Sequence, residues 1–541
     1  MLRKDSVADC KKCFLLALFV ILILQCAFLF LYGLQKPNLF IDEWWSYNLA
    51  NGRPSIITGI TEEWLGKPIL QPFWNEIITV KAQDMFDFHW VWENQIRDVH
   101  PPLYYLLLHI LCGFWNGEFS LIPGLIINLA FFVGTQYLLW HLSLHLFSRD
   151  YRIAFLMIAL YGCSLGGMSA ALSIRMYMML TFFVTWMIYL NIRIIQVTGR
   201  RKYLIGLACV HVCGFLTQYY YIIYAFFAAL PVLYKLANEG KSERYRSLIT
   251  YCLLSFLSLF ICWLIFPAFL AHIFGNSTMG KEAFANLTHS DFFYRIIVFL
   301  WILLKNSGIL FLSLASFFIF IASTRLESCR LGSLHNLCTY ITDRMDVFFP
   351  FSIILFATVF PFATIAKVAP VFGDRYLMPL LPSIVIILCG LIGLAFNVFH
   401  DHKIRLWGTI FVLLGFVAET VFNFHIHWYW NNHAVISDIV QKKPNTTFIA
   451  VIKDVRHPLI ASQGNTLRLV NRAYIVTEDN LAPLQSVPDK FKESVLLWTQ
   501  EYYPTSCPNL FKRVEKVMNL KNPGMILYDD FGKVRFYLSS R

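Results

Sequence analysis

Two adjacent carboxylates, Asp42 and Glu43, stand just beyond the first apolar run, inside Phe40-Ile-Asp-Glu-Trp-Trp-Ser46. Farther along the same polar stretch comes Asp98-Val-His-Pro-Pro-Leu-Tyr-Tyr105. Acids beside a bilayer are costly unless solvated or paired. Desolvation there raises a carboxylate's proton affinity, which suits a general base. Of two neighbouring acids, one can take a proton while the other orients it or binds a polar group. His100 adds an imidazole able to hydrogen-bond a carboxylate or a phosphate. Pro101-Pro102 suits a helix start, where the missing N–H does no harm. Taken singly, each feature has a plainer reading: helix-end charge for Asp-Glu, a turn for His-Pro-Pro. The combination is far more specific.

Two arginines extend the pattern. Arg175 precedes Tyr177, and Arg375 precedes Tyr376, with Lys367 close by. Arginine binds phosphate bidentately; alone, either residue reads equally well as a side chain snorkelling to headgroups. His425-Ile-His-Trp-Tyr-Trp-Asn-Asn-His433 has metal-like spacing but reads better as an interfacial aromatic belt. Asp, Glu and His leave a divalent metal open as a cofactor, with no ligand set assured.

The elements that position these groups are membrane helices. Only 14% of the 541 residues are charged and 57% are hydrophobic, against about 25% charged in soluble proteins. This makes a multi-pass integral membrane protein and excludes a soluble enzyme. The net charge of +12 belongs to cytoplasmic loops rather than to a nucleic-acid partner. Most of the 13 cysteines lie in apolar runs, as small buried hydrophobes rather than a disulfide framework. The first span, 14–32, exceeds a secretory h-region and lacks a small-x-small cleavage site, so it reads as a retained helix.

Further spans are expected near 121–146, 152–172, 176–196, 203–218, 219–236, 248–270, 297–323, 347–367, 377–397 and 406–424, with 101–117 a short or re-entrant helix. That gives about 11–13 transmembrane helices. Base-rich loops alternate with base-poor ones, which puts the 1–13 tail in the cytoplasm and the loop 35–100 outside. In that loop acids outnumber bases, and Trp74–Val80 and Asp84–Glu93 read as surface-lying amphipathic helices. The membrane domain covers 14–425. Residues 441–541 read as a small extracytoplasmic α/β domain, with strands near 447–452, 472–477, 494–499, 524–528 and 534–538 and a helix within 508–518. Asn276, Asn286 and Asn445 open glycosylation sequons.

Asp42-Glu43, Asp98-Val-His-Pro-Pro-Leu103, Arg175-Met-Tyr177 and Arg375-Tyr-Leu-Met-Pro-Leu-Leu-Pro382 together resemble the GT-C superfamily of membrane glycosyltransferases. The nearest branch holds protein O-mannosyltransferases, the lipid A aminoarabinose transferase and Rgt-like sugar transferases. The resemblance covers roughly 10–425 and implies a GT-C-like fold. It implies a polyprenyl-phosphate-linked sugar as donor and a glycan, lipid or protein as acceptor. The active site would face outward from a bacterial cytoplasmic membrane, or into the endoplasmic reticulum lumen in a eukaryote. It also implies an inverting displacement with an oxocarbenium-like transition state, akin to glycoside hydrolysis. In that scheme Asp42 is the base. Glu43, Asp98 and His100 position acceptor or phosphate. Arg375 and Arg175, with Tyr376 and Tyr177, hold the departing phosphate. Trp44, Trp45, Tyr104 and Tyr219 contact substrate. One departure is plain: many bacterial relatives read Thr-His-Tyr-Tyr where this chain reads Thr217-Gln218-Tyr219-Tyr220.

The main alternative is a transporter or flippase of lipid-linked sugars. Such proteins often carry repeated halves and mid-membrane broken helices; here no repeat is visible and the notable acids share one external loop. A non-catalytic envelope-assembly protein is the other reading, and the intact Asp-Glu argues against it.

Overall fold

The computed structural model describes residues 2–36, 39–53, 62–147, 150–197, 199–239, 241–274, 278–289, 291–328, 345–398, 402–422, 431–443, 445–453, 459–491, 494–500, 510–521, 523–529 and 532–538. The helices are, in chain order, α1 (Leu2–Leu34), α2 (Ile41–Asn51), α3 (Gln71–Glu76), α4 (His89–Arg97), α5 (Leu103–Gly113), α6 (Ile122–Leu146), α7 (Tyr151–Cys163), α8 (Leu165–Leu172) and α9 (Tyr177–Gln196). They continue as α10 (Arg201–Thr217), α11 (Tyr221–Ala237), α12 (Lys241–Ile265), α13 (Ala268–Phe274), α14 (Thr278–His289), α15 (Phe292–Asn306) and α16 (Leu310–Ser328). The last are α17 (Met345–Val368), α18 (Leu381–Val398), α19 (His402–Phe422), α20 (Asn431–Lys442), α21 (Leu459–Leu467) and α22 (Leu510–Met518). Six strands accompany them: β1 (Pro68–Leu70), β2 (Thr447–Ile452), β3 (Arg472–Thr477), β4 (Ser494–Gln500), β5 (Pro523–Asp529) and β6 (Gly532–Leu538).

The chain forms two compact units. One holds Met1–Gly33, Val99–Tyr104 and Leu125–His425; the other holds Leu34–Asp98, Tyr105–Gly124 and Ile426–Arg541. The polar loop after α1 thus belongs with the C-terminal segment.

The first unit is helical. Among the described residues, six helices are long and apolar enough to cross a membrane, or eight if two bent pairs each count as one span. Several other expected crossings are apolar helices of only 10–17 residues. On α1, Leu16, Phe19, Leu24 and Leu31 are exposed, as suits a face solvated by lipid tails. Its one buried amide, Gln25, accepts at Oε1 from Gln136 Nε2 of α6 at 2.9 Å, and both amides donate to the Ile158 carbonyl of α7. Polar contacts of this kind bind helices where hydrophobicity alone cannot.

The expected single span 297–323 is two helices, α15 and α16. Gly308 takes φ +64° between them, a conformation open chiefly to glycine. The N-terminus of α16 is then capped from α19: both Glu419 carboxylate oxygens accept backbone N–H bonds, from Leu310 and Phe311, at 2.7 Å each. The expected span 152–172 likewise bends by 58° between α7 and α8. There Ser164 caps α8, its Oγ accepting the Gly167 N–H at 3.0 Å. Residues 2–13 form the first turns of α1.

In the second unit all six strands form one sheet, ordered β1-β3-β2-β4-β6-β5. β3, β2 and β4 are parallel, while β1, β6 and β5 pair antiparallel. Ile449, Val451, Tyr474, Val476, Val495 and Leu497 pack against Leu510, Phe511, Val514 and Met518 of α22. β2 is buried along its whole length, as a central parallel strand should be. β1 comes from the loop that follows α1 and pairs Pro68–Leu70 with Arg472–Tyr474.

That loop differs from the expected amphipathic helices. α3 ends at Glu76 and Trp74 is fully buried, while the second helix, α4, starts at His89. Asn48 and Asn51 of α2 donate to the Ile77 and Ile78 carbonyls, at 2.9 and 2.8 Å. These bonds hold 77–78 as an ordered turn against α2 rather than as further helix.

Candidate functional site

The carboxylates open α2. Phe40 is extended (ψ 155°) and its carbonyl accepts the Glu43 and Trp44 N–H groups, starting the helix. Glu43 reaches back, its Oε2 accepting the Phe40 N–H at 2.8 Å, one half of a capping box. Its Oε1 pairs with Lys36 Nζ, and both side chains are inaccessible to solvent (0% and 1% exposed). Burial pulls the Lys36 ammonium below its ordinary value, against the opposing pull of Glu43. Both oxygens of Glu43 therefore hold the chain together at the start of α2. Asp42, one residue earlier, is half-buried on the first turn, and its carbonyl accepts the Ser46 hydroxyl at 3.0 Å. Asp98 ends α4, its N–H bonded to the Asn94 carbonyl at 3.0 Å. The adjoining stretch Val99–Tyr104 falls in the first unit, where His100 is half-buried and Tyr104 fully buried.

The C-terminal segment builds the setting of α2. Asn465 clamps Leu39 with a reciprocal pair of bonds: its Oδ1 accepts the Leu39 N–H at 3.0 Å and its Nδ2 donates to the Leu39 carbonyl at 2.7 Å. Gly464, in the same turn of α21, faces the Trp44 ring so closely that a Cβ there would run into it. Trp44 is 1% exposed. The expected substrate contact therefore does not fit Trp44, which is core, whereas Trp45 is half-buried. Gly464→Ala will force the Trp44 ring aside and lower stability by about 1–3 kcal/mol, as overpacking does. A melting temperature of the purified chain equal to wild type would refute that contact.

In the first unit, Arg175 sits at the break between α8 and α9, 5% exposed, its N–H bonded to the Ser173 carbonyl at 2.7 Å. Arg375 occupies a short 3-10 turn, Asp374–Tyr376, its guanidinium 5.3 Å from the Tyr376 ring centre. Tyr376 meets Tyr220 edge-on at 5.5 Å. Tyr376, Tyr177, Arg375 and Arg295 all lie close enough to the Tyr220 hydroxyl to act on it electrostatically. Tyr177, Tyr220, Tyr376, Arg375 and Arg295 thus share one electrostatic neighbourhood.

Arg295 and Tyr220 were not among the expected site residues. Arg295 Nε donates to the Ala366 carbonyl at 2.7 Å and its NH2 group to the Ala369 carbonyl, capping the end of α17. Asn286 Nδ2 joins it on Ala369 at 3.0 Å, so that sequon amide is engaged in the fold. Asn445 lies exposed in a turn. Lys367 lies 6.0 Å from the Phe292 ring centre. Tyr219 is tied to His272, hydroxyl to Nδ1, at 2.8 Å, and Gln218 Oε1 accepts the Tyr219 N–H at 2.6 Å. The chain that lacks a histidine at 218 thus presents one to Tyr219 from α13. Asn276 and residues 425–430 of the His425–His433 motif lie outside the described residues. Among the described residues no three His, Cys, Asp or Glu side chains cluster closely enough to hold a metal.

The broken membrane helices, the structured loop after α1 and the small C-terminal sheet make up an ArnT-like fold. Among solved structures it matches ArnT from Cupriavidus metallidurans bound to undecaprenyl phosphate, with a TM-score of 0.50 and 10% identity over 96% of this chain and 97% of that one. The apo structure of ArnT from the same organism aligns at TM-score 0.47, also at 10% identity, over 91% and 95%. No family model and no curated protein sequence matches the chain.

Proposed function

We propose that the chain is an inverting glycosyltransferase. It would move a sugar from a polyprenyl-phosphate donor to a cell-envelope glycan, lipid or protein on the extracytoplasmic face. The observation that carries this reading is a fold shared over nearly the whole chain with a protein whose structure holds undecaprenyl phosphate. The acid-bearing α2 and the Arg-Tyr cluster support it from this chain's own residues.

In the reaction, the acceptor hydroxyl gives its proton to Asp42 as its oxygen attacks the anomeric carbon. The bond from that carbon to the phosphate oxygen breaks, its electron pair stays on the phosphate, and polyprenyl phosphate leaves with inversion. Arg375, Arg175 and the Tyr177, Tyr220 and Tyr376 hydroxyls stabilise the charge that develops there. Asp98 and His100 position acceptor or phosphate, and Trp45 and Tyr219 line the approach of substrate, whereas the fully buried Tyr104 is core. Glu43 orders the segment that carries Asp42.

Arg375→Gln tests the phosphate half. A lost charge-assisted hydrogen bond is worth about 1.5–3 kcal/mol, so kcat/KM for the polyprenyl-phosphate sugar should fall about 10- to 100-fold. Unchanged kinetics would remove Arg375 from the site.

A further inference from the structure

Arg468 follows α21, its N–H bonded to the Gly464 carbonyl at 3.1 Å. Its guanidinium carbon lies 3.8 Å from the centre of the Phe119 ring. Nε donates to Asn75 Oδ1 at 3.1 Å, and the Arg468 carbonyl accepts from Gln71 Nε2 at 2.9 Å. The framework behind it is itself fixed. Phe119 meets Tyr47 of α2 edge-on at 5.1 Å, and the Tyr47 hydroxyl donates to the Ser120 carbonyl at 2.8 Å. The cation is stacked on one face and oriented by one nitrogen.

No anion accompanies it. Among the described residues no carboxylate pairs with Arg468, and its two terminal nitrogens have no hydrogen-bond partner. Three other arginines of this unit are matched: Arg53 with Asp84, Arg97 with Glu93, Arg535 with Glu515. Burial lowers the Arg468 pKa to about 10, with Tyr47 opposing, yet the side chain is only half-buried, so solvent still reaches it. A recessed charge with no counter-charge is unfavourable. A guanidinium fixed at Nε presents its remaining fork in the geometry of an oxyanion.

We propose that Arg468 anchors an oxyanion site in the second unit, taking a phosphate group bidentately through its two terminal nitrogens. Phe119 and Asn75 hold the fork in place, and Tyr47 backs it. The site uses none of the groups assigned to the transfer reaction and stands apart from that reading. The phosphate has two possible sources, a phospholipid headgroup or a soluble phosphate.

Phenylglyoxal condenses with guanidinium nitrogens, and peptide mass spectrometry reads each arginine separately. The purified full chain in neutral detergent is labelled in chloride and in inorganic phosphate at equal ionic strength. It is then labelled in vesicles of phosphatidylcholine and of phosphatidylglycerol. Labelling of Arg468 should slow about tenfold when phosphate reaches about ten times its dissociation constant, with exposed Arg97 unaffected. Protection by inorganic phosphate identifies a soluble phosphate as sufficient; protection only in phosphatidylglycerol identifies the headgroup. Equal labelling of Arg468 in all four media overturns the proposal. So does an Arg468 that stays unlabelled while Arg97 reacts, because a closed fork receives no ligand.

Discussion

Asp42→Asn will lower the transfer rate by about 10²- to 10⁴-fold, the usual contribution of a positioned base, and will leave the fold intact. The amide keeps the size of the carboxylate, and the backbone bonds that start α2 run through Phe40 and Glu43. The loss of one acid from the first turn of a helix weakens it by about 0.3–1 kcal/mol. The effect should therefore fall on kcat, with the donor KM and the melting temperature close to wild type. A variant that turns over at the wild-type rate would remove Asp42 as the base. A variant with a collapsed melting temperature would make its role structural.

Lys36→Met will do the opposite, acting on stability first. It strips the partner from Glu43, whose side chain is fully buried. Breaking a buried pair by removing one member costs about 3–5 kcal/mol, because the remaining charge has no compensation. Lys36→Met combined with Glu43→Gln should recover much of that loss, since no lone charge is left and the amide can still cap Phe40. A single variant as stable as wild type would refute the pairing. The pair also carries a sign with pH. Burial holds the folded Lys36 pKa below its ordinary 10.5. Between that lowered value and 10.5 the unfolded chain binds more protons at this group, so its contribution to stability rises with pH there. Wild type should gain on Lys36→Met as pH climbs through that window. A flat difference in melting temperature would contradict the shift.

Much of this was legible along the chain. Apolar runs of helical length announce membrane helices whatever their packing, and β-branched alternation marked five strands of the C-terminal sheet within a residue or two. β1 was not legible: it has three residues, one of them proline, and becomes a strand only because β3 offers an edge. The break before α16 is spelled by Lys305-Asn-Ser-Gly308, a polar turn sequence whose apolar flanks are long enough to read together as one span. The carboxylate pair was visible, but the division of labour between Asp42 and Glu43 was not. It depends on Lys36 and on the burial of both side chains. Gly464, Asn465 and Arg468 read as ordinary tail residues because their partners lie about 400 positions away. Arg295 read as one base in an apolar helix, and only the carbonyls at the end of α17 give it a task.

In the proposed reaction a sugar changes covalent partners. The full chain, reconstituted in vesicles with polyprenyl-phosphate sugar labelled in both the sugar and the lipid, tests it directly when envelope acceptor is supplied. Transfer predicts that labelled polyprenyl phosphate appears one for one with labelled, glycosylated acceptor, and that Asp42→Asn blocks both. Intact donor recovered from the opposite leaflet, with no polyprenyl phosphate released, would contradict it and make the protein a transporter of lipid-linked sugar.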